Sequence, residues 1–348
     1  MTTADSAAAK DWPGVRLHVV TGKGGTGKTT VAGALALALA ARAPARRGGA
    51  AEPGRIPRVL LVEVEGRQGL AQLFDAPPLP YEERRIATVP GGGEVWALAI
   101  DPEQALLEYL DMFYKLGAAA KALKRFGAID FATTVAPGIR DVLLTGKTCE
   151  SVRRRSQEPG RTFHYDAVVM DAPPTGRITR FLNVNSEVSG LARVGPIRNQ
   201  ADAVMRVLTS AQTAVHFVTL LEEMPVQETL DGIADVRAAG LPVGGIVVNE
   251  ARDLVLTDVQ LKRAAGEGVD RAELAAGLAE AHLDRPALVD ALSRLATEHA
   301  RRVLLEQEQR EALTACGAPT YELPLLGDGV DRVGLDRLAA ALRTQGAA

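Results

Sequence analysis

The chain has 348 residues, which is enough for one large α/β domain or two modest ones. Its hydrophobic content of 47% supplies a full core and excludes global disorder. The formal net charge is −3 and no charge run dominates, which argues against a nucleic-acid-binding basic face. Cys149 and Cys316 form neither a CxxC pair nor an iron–sulfur set, so we expect a reducing, cytoplasmic setting.

The N-terminal part of the chain predicts neither secretion nor membrane insertion. Residues 1–13 lack a long apolar run, so we expect no signal peptide. No uninterrupted apolar stretch approaches the length of a membrane span. The five histidines are scattered singly, which predicts no zinc site built on them.

A glycine-rich stretch, TGKGGTGKTT at residues 21–30, lies between a predicted strand (15–20) and a predicted helix (31–41). Glycines let the backbone curl and direct its N–H groups at an anion, and the helix N-terminus adds its dipole. This context predicts a phosphate-binding loop, with Lys28 on the β- and γ-phosphates and the Thr29 hydroxyl on Mg²⁺. The predicted nucleotide-binding residues here are Gly22, Gly24, Gly25, Thr26, Gly27, Lys28, Thr29 and Thr30.

A second lysine, Lys23, lies inside the same loop. With it, residues 22–29 resemble the deviant Walker A motif of ATPases that dimerise face to face around nucleotide. The resemblance implies that Lys23 reaches the phosphates bound by the partner subunit. A solvated loop lysine is the alternative.

Two carboxylates follow buried-type strands further along the chain. Glu65 follows the strand at 58–64, where the resembled family has an aspartate, and we expect it to position the attacking water; a plain loop carboxylate is the alternative. Asp171 begins DAPPTGR, which resembles the family's switch II motif and predicts a link to Mg²⁺ through water. Arg177 replaces the family's histidine; contact with phosphate and exposure to solvent both stay open for it.

The far end of the predicted sheet supplies candidate contacts for the base. Asn249 ends the strand at 243–248, and the resemblance implies that it reads the adenine edge, for which an amide has both a donor and an acceptor. Pro324 and Leu325 lie in a strand-plus-loop that resembles the segment packing on adenine in the family. A turn asparagine is the alternative for Asn249.

The segment after a strand at 95–100 begins with Asp101 and Pro102, a helix-start pattern. It resembles the arsenite-pump and tail-anchored-protein-targeting ATPases. Insertions at about 103–150 and 180–212 then predict a helical subdomain for a client or partner. Its apolar stretch suits either a groove for an apolar client helix or ordinary core packing.

These motifs occur in order along nearly the whole chain, which we therefore interpret as a single domain over residues 1–348. The expected fold is α/β: a three-layer P-loop NTPase with a mostly parallel, doubly wound sheet. ATP and Mg²⁺ are the expected cofactors. Relatives that bind zinc have a CxxC within about 250–318; this chain has none there, so we expect neither zinc nor an iron–sulfur cluster.

The expected function is an ATPase that couples Mg-ATP binding and hydrolysis to dimer closure and to handling of a hydrophobic client such as a membrane-protein helix. The closest resemblance is to actinobacterial paired ATPases, which leaves a homodimer and a heterodimer with a paralogue open. A peripheral receptor at the inner membrane is a further expected partner. The alternatives are an arsenite- or anion-efflux ATPase subunit, a positioning ATPase on DNA or membrane, and a low-turnover nucleotide-binding subunit.

Overall fold

Eight strands of the described chain pair into one central sheet. The computed structural model describes residues 11–41, 56–114, 138–191, 196–252, 254–283, 285–327 and 329–348. The strands are β1 (Leu17–Gly22), β2 (Arg58–Glu63), β3 (Arg84–Thr88), β4 (Glu94–Ala99), β5 (Ala167–Asp171), β6 (Thr213–Thr219), β7 (Val243–Ala251) and β8 (Thr320–Pro324). Their spatial order is β3-β4-β2-β5-β1-β6-β7-β8, and every pair is parallel except β3 with β4.

Eleven helices lie in the described residues, most of them on the two faces of the sheet. They are α1 (Lys28–Ala40), α2 (Gly69–Leu73), α3 (Pro102–Tyr114), α4 (Ile139–Arg153), α5 (Thr175–Leu191), α6 (Pro196–Leu208), α7 (Glu223–Ala238), α8 (Asp258–Gly266), α9 (Arg271–Glu280), α10 (Pro286–Ala315) and α11 (Arg332–Thr344). One core cluster packs α1 and α11 against the sheet. A second packs α4, α5, α6 and α7 against it. This arrangement confirms the predicted three-layer α/β fold with a mostly parallel sheet.

The inner strands are buried on both faces, as expected for a parallel sheet covered by helices. All six residues of β1 and all five of β5 are buried. Such strands appear in sequence as short apolar runs, which explains why most of them were predictable. The strand β3 was missed, because its sequence RRIAT is mostly exposed at an antiparallel edge, where charged residues are common.

One local prediction outside the sheet is confirmed. The Asp101 carboxylate accepts a hydrogen bond from the Gln104 N–H at 2.8 Å and so caps α3. The last helix, α11, buries Leu335, Leu338 and Leu342 against the core. The Pro-, Gly- and Arg-rich segment 43–57 and the apolar stretch beyond residue 114 lie largely outside the described residues.

The segment α8 to α10 forms a helical layer with little buried surface. The 30-residue helix α10 buries only Ala300, Val303, Glu306 and Leu313, and α9 buries none of its ten residues. A small separate core packs α8 against α10. In the described parts of the chain, none of the helices has the length and apolar content that crossing a membrane requires.

Candidate active site

The carboxyl ends of the parallel strands bring the predicted site residues to one edge of the sheet. Neighbouring strands β2, β5 and β1 end at Glu63, Asp171 and Gly22. On the other side of β1, β7 and β8 supply Asn249 and Pro324. This edge is where ligands bind in open α/β sheets.

The glycine-rich loop between β1 and α1 is bent in the way that an anion cradle requires. Gly25 and Gly27 have φ of 89° and 83°, a left-handed conformation that favours glycine. A Cβ at Gly22 would overlap the Val218 carbonyl oxygen. The Thr26 hydroxyl donates to the Lys23 carbonyl at 2.9 Å and closes the turn. The loop thus has the shape predicted from its sequence, and Lys28, Thr29 and Thr30 form the first turn of α1.

Thr29 and Asp171 contact each other across the edge. The Thr29 hydroxyl donates to the Asp171 carboxylate at 2.7 Å, and Asp171 is 9% exposed. Burial raises the pKa of Asp171 to about 6, while the Thr29 hydrogen bond and the Lys28 charge oppose the rise. The carboxylates of Glu63 and Glu65 push the same pKa upward. Lys28, Asp171 and the two glutamates therefore act electrostatically on one another.

Glu65 lies at the start of the loop that leaves β2. Its side chain is 20% exposed and lies 3.7 Å from the Arg67 guanidinium. This position is compatible with the predicted water-positioning role, which stays a prediction.

Glu63, which sequence reasoning missed, is the buried carboxylate of this edge. It is 2% exposed and pairs in register with Asp171 on the neighbouring strand. Its two oxygens accept hydrogen bonds from the Gln68 N–H at 2.5 Å and the Leu70 N–H at 3.1 Å. A glutamate inside the apolar run RVLLVE was the signal that could have identified it.

Lys23 is ion-paired within its own chain. Its ammonium lies 2.6 Å from the Glu228 carboxylate on α7, and both side chains are partly exposed, at 31% and 39%. Glu228 was not among the site residues predicted from the sequence. The pairing competes with any other anion for Lys23.

Asn249 packs directly on the phosphate-loop segment. Its amide donates to the Thr26 carbonyl at 3.0 Å, and a Cβ at Gly27 would overlap the same amide nitrogen. The Leu325 N–H bonds to the Ala251 carbonyl at 2.9 Å, so the loop after β8 lies beside the end of β7. The predicted base-contacting residues thus share one end of the sheet.

Arg177 lies in the first turn of α5. Its side chain is 61% exposed, and its guanidinium lies 3.9 Å from the Asp141 carboxylate of α4. Arg177 is therefore largely exposed to solvent, and it also lies near a carboxylate on the neighbouring helix. Its contact with phosphate stays a prediction.

The doubly wound sheet and the glycine-rich loop at its first strand define the molecule as a P-loop nucleotide-binding protein. The sequence profile of the anion-transporting ATPases matches residues 15–211. The chain belongs to this family, and it is an ATP hydrolase.

Several proteins of similar sequence are also named as ATPases. The chain is 50% identical over 350 residues to ATPase BagA of Mycobacterium tuberculosis (strain ATCC 25618 / H37Rv), an alignment that covers 99% of this chain and 98% of BagA. ATPase GET3 of Kluyveromyces lactis is 29% identical over 192 residues, covering 52% of this chain and 50% of GET3. ATPase GET3 of Eremothecium gossypii is 26% identical over 191 residues, with the same coverage.

The residues present suit a magnesium ion, which the family implies. A hydroxyl and a nearly buried carboxylate meet at the N-terminus of α1, and two further carboxylates raise the local negative charge. Magnesium in nucleotide sites needs only one or two protein oxygens, because water and phosphates supply the others. The donor set therefore fits.

Proposed function

We propose that this ATPase couples the binding and hydrolysis of Mg-ATP to closure of a dimer and to handling of a hydrophobic client. The proposal rests on one structural connection. The edge that holds the phosphate loop is joined, through α10, to an apolar groove in the layer α8 to α10.

At the nucleotide, Lys28 and the loop N–H groups bind the phosphates, and a magnesium ion would be held by Thr29 and, through water, by Asp171. When bound, the metal would supply positive charge that neutralises the phosphate oxygens. Glu65 accepts a hydrogen bond from the attacking water and orients it. The hydrogen bond of 2.7 Å between Thr29 and Asp171 supports these assignments, because it brings both side chains together at the first turn of α1, where Lys28 also lies.

In the dimer, Lys23 of one subunit contacts the phosphates bound by its partner. Its ammonium must first leave Glu228, at 2.6 Å in the single chain. An exposed ion pair of this kind is worth about 1 kcal/mol or less, so phosphates can displace the carboxylate. The partner is a second copy or a paralogue.

The client surface has its best support in the layer α8 to α10. A groove of about 690 Å³ lies between these helices, and its apolar lining includes Val255, Leu274, Leu278, Leu292 and Leu295. Val255 is 78% exposed and Leu295 is 59% exposed. Clustered exposed apolar side chains are typical of surfaces that bind another apolar segment.

The helix α10 offers a route between the groove and the nucleotide. Its first half lines the groove with Leu292 and Leu295. Further along, Glu306 is 7% exposed and pairs with Arg252 at 2.7 Å, just after β7 and Asn249. A shift of the β7 end on nucleotide binding would therefore move α10.

The helical subdomain expected at about 103–150 and 180–212 stays a second prediction for the client site. Its described part lines a cleft of about 450 Å³ with both apolar residues, such as Leu143, and charged ones, such as Glu108 and Lys147. The Lys147 ammonium lies 2.8 Å from the Glu108 carboxylate, so an apolar helix in this cleft would have to cover an ion pair.

The client proposal is tested by photo-crosslinking. A crosslinking residue is placed at Leu278 in the groove, at Gly146 in the polar cleft, or at exposed Val333 as the control. The probe is a synthetic leucine-rich helix of about 20 residues, the length of a membrane span. We expect nucleotide-dependent labelling from Leu278 only, and loss of that dependence in Lys28→Ala. Equal labelling from Val333, or none from Leu278, would contradict the proposal.

The other candidate functions have less support. Arsenite efflux needs exposed thiolates, whereas burial raises the pKa of the Cys149 thiol to about 12. A low-turnover subunit is tested by steady-state ATPase assays of wild type, Glu65→Gln and Lys28→Ala, alone and with a candidate partner. A cytoplasmic location with a peripheral receptor at the inner membrane belongs to the same proposal as the client.

A further inference from the structure

Glu63 has features that its position in a strand core does not require. Its carboxylate is 2% exposed and lies beside Asp171, another carboxylate, on the next strand. Burying a charged group next to a like charge is costly unless hydrogen bonds compensate. Here two backbone N–H groups, of Gln68 and Leu70, supply the compensation.

Those two N–H groups belong to the end of the loop that carries Glu65 and to the first turn of α2, which follows it. Gln68 is the N-cap residue of α2 and has φ of 55°, a left-handed conformation uncommon outside glycine. Its side-chain amide accepts from the Leu79 N–H at 2.7 Å and donates to the Leu79 carbonyl at 3.2 Å. The loop is therefore held at two points, by hydrogen bonds to the Glu63 carboxylate and to the Leu79 backbone.

The fixed loop also touches the phosphate-binding helix. Gly69, the first residue of α2, lies so close to Thr29 that a Cβ there would be 3.4 Å from the Thr29 methyl carbon. One carboxylate thus sets the distance between the Glu65 loop and the Thr29–Asp171 pair.

We propose that Glu63 is a positioning residue for ATP hydrolysis, which holds the loop so that Glu65 faces the terminal phosphate. The inference rests on the water-positioning role proposed for Glu65. Glu63 itself acts through the loop backbone. Replacing it by glutamine keeps the size but puts an NH₂ group opposite one of the two N–H donors, so one hydrogen bond is lost.

The test compares kcat and KM for Mg-ATP in Glu63→Gln, Glu65→Gln and the double variant. The matched control is Asp166→Asn, since the Asp166 carboxylate also accepts a backbone N–H, that of Arg58 at 2.9 Å, at the opposite end of β2. We expect Glu63→Gln to lower kcat at least tenfold with KM changed less than about threefold, because misplaced catalytic groups lose rate rather than binding. The double variant should be no slower than Glu65→Gln alone, whereas Asp166→Asn should keep its kcat.

The outcomes separate the two ideas. Full kcat in Glu63→Gln with a loss in Glu65→Gln, or losses that multiply in the double variant, would overturn the positioning role. Full kcat in Glu65→Gln would overturn the role proposed for Glu65 instead. Hydrogen exchange adds a readout besides rate: the Gln68 and Leu70 amides should exchange faster in Glu63→Gln.

A second variant keeps the inference testable if Glu63→Gln does not fold. Gln68→Gly tolerates the left-handed backbone and removes both bonds to Leu79 without touching the buried charge. It should lower kcat with little change in KM. A kcat equal to that of wild type would count against the inference.

Discussion

The phosphate-facing edge of the sheet and the layer α8 to α10 are built on opposite principles. At the edge, Glu63 and Asp171 are 2% and 9% exposed, and both carboxylates accept hydrogen bonds. In the layer, Val255 and Leu295 are 78% and 59% exposed, and α9 buries none of its residues. One region holds buried, hydrogen-bonded carboxylates, and the other leaves apolar surface uncovered.

The two regions also differ in what stabilises them. The edge belongs to a sheet that is buried on both faces, and this packing can hold buried carboxylates whose desolvation is unfavourable. The layer has a small core, so substitutions on its groove should alter binding far more than folding.

The largest expected effect is on stability in the sheet. Leu61 is fully buried, and Leu61→Ala should destabilise the fold by about 2–5 kcal/mol through lost burial and a cavity. Leu295→Ala, on the groove, should cost less than about 0.5 kcal/mol. Chemical denaturation of both variants measures the contrast. Equal losses would show that the groove is part of a tightly packed core.

Acid should weaken the sheet through His216. Its Nδ1 accepts from the Gly245 N–H at 3.1 Å, so Nε2 carries the proton and donates to His18 at 3.0 Å. Burial lowers the pKa of His216 to about 4. The unfolded state, with an ordinary pKa of about 6.5, then binds more protons between these values, so stability falls as pH drops through this range, by about 3 kcal/mol.

The measurement is the free energy of unfolding between pH 7 and pH 4 for wild type and His216→Asn. We expect the variant to lose much of the pH dependence in this interval. His282→Asn, at an exposed histidine of the helical layer, is the control and should titrate like wild type. An unchanged slope in His216→Asn would contradict the assignment.

The site edge should lose activity without losing structure in Asp171→Asn. The amide still accepts the Thr29 hydroxyl, and removing a buried charge lowers the desolvation cost. We expect kcat to fall about 100-fold, a loss of about 2.7 kcal/mol in transition-state stabilisation, with Tm unchanged or raised. ATPase assays and a melting curve check this. A kcat within threefold of wild type would remove Asp171 from the mechanism.

The smallest effect concerns the Lys23–Glu228 pair. Glu228→Gln frees Lys23 from a carboxylate at 2.6 Å, so ATP-dependent dimerisation should strengthen by up to about fivefold, the value of an exposed ion pair. Sedimentation velocity with Mg-ATP measures the dimer, and Glu223→Gln on the same helix is the control. Weaker dimerisation in Glu228→Gln would mean that Glu228 itself contacts the partner.

The fold was largely predictable because parallel strands and their helices leave strong local patterns. The glycine-rich loop and the runs before Glu65 and Asp171 located three adjacent strand ends. The strand β3 left no such pattern, since edge strands carry exposed charge.

The site was predictable where a motif marked it and obscure where contacts depend on folding. Lys28, Thr29 and Asp171 belong to motifs, and the structure brings them together. The apolar run around Glu63 could have marked it as a buried carboxylate, but its hydrogen bonds to Gln68 and Leu70 depend on how the following loop folds. The Glu228 contact with Lys23 spans 205 residues of sequence, which no local pattern encodes. The groove of α8 to α10 likewise depends on how three helices pack.

In the proposed mechanism, the loop at residues 21–30 binds the triphosphate of Mg-ATP. Isothermal titration calorimetry of wild type and Lys28→Ala, with and without magnesium, measures this binding. We expect magnesium-dependent ATP binding at one site per chain and its loss in the variant. Undiminished binding by folded Lys28→Ala, or no binding by folded wild type, would contradict it.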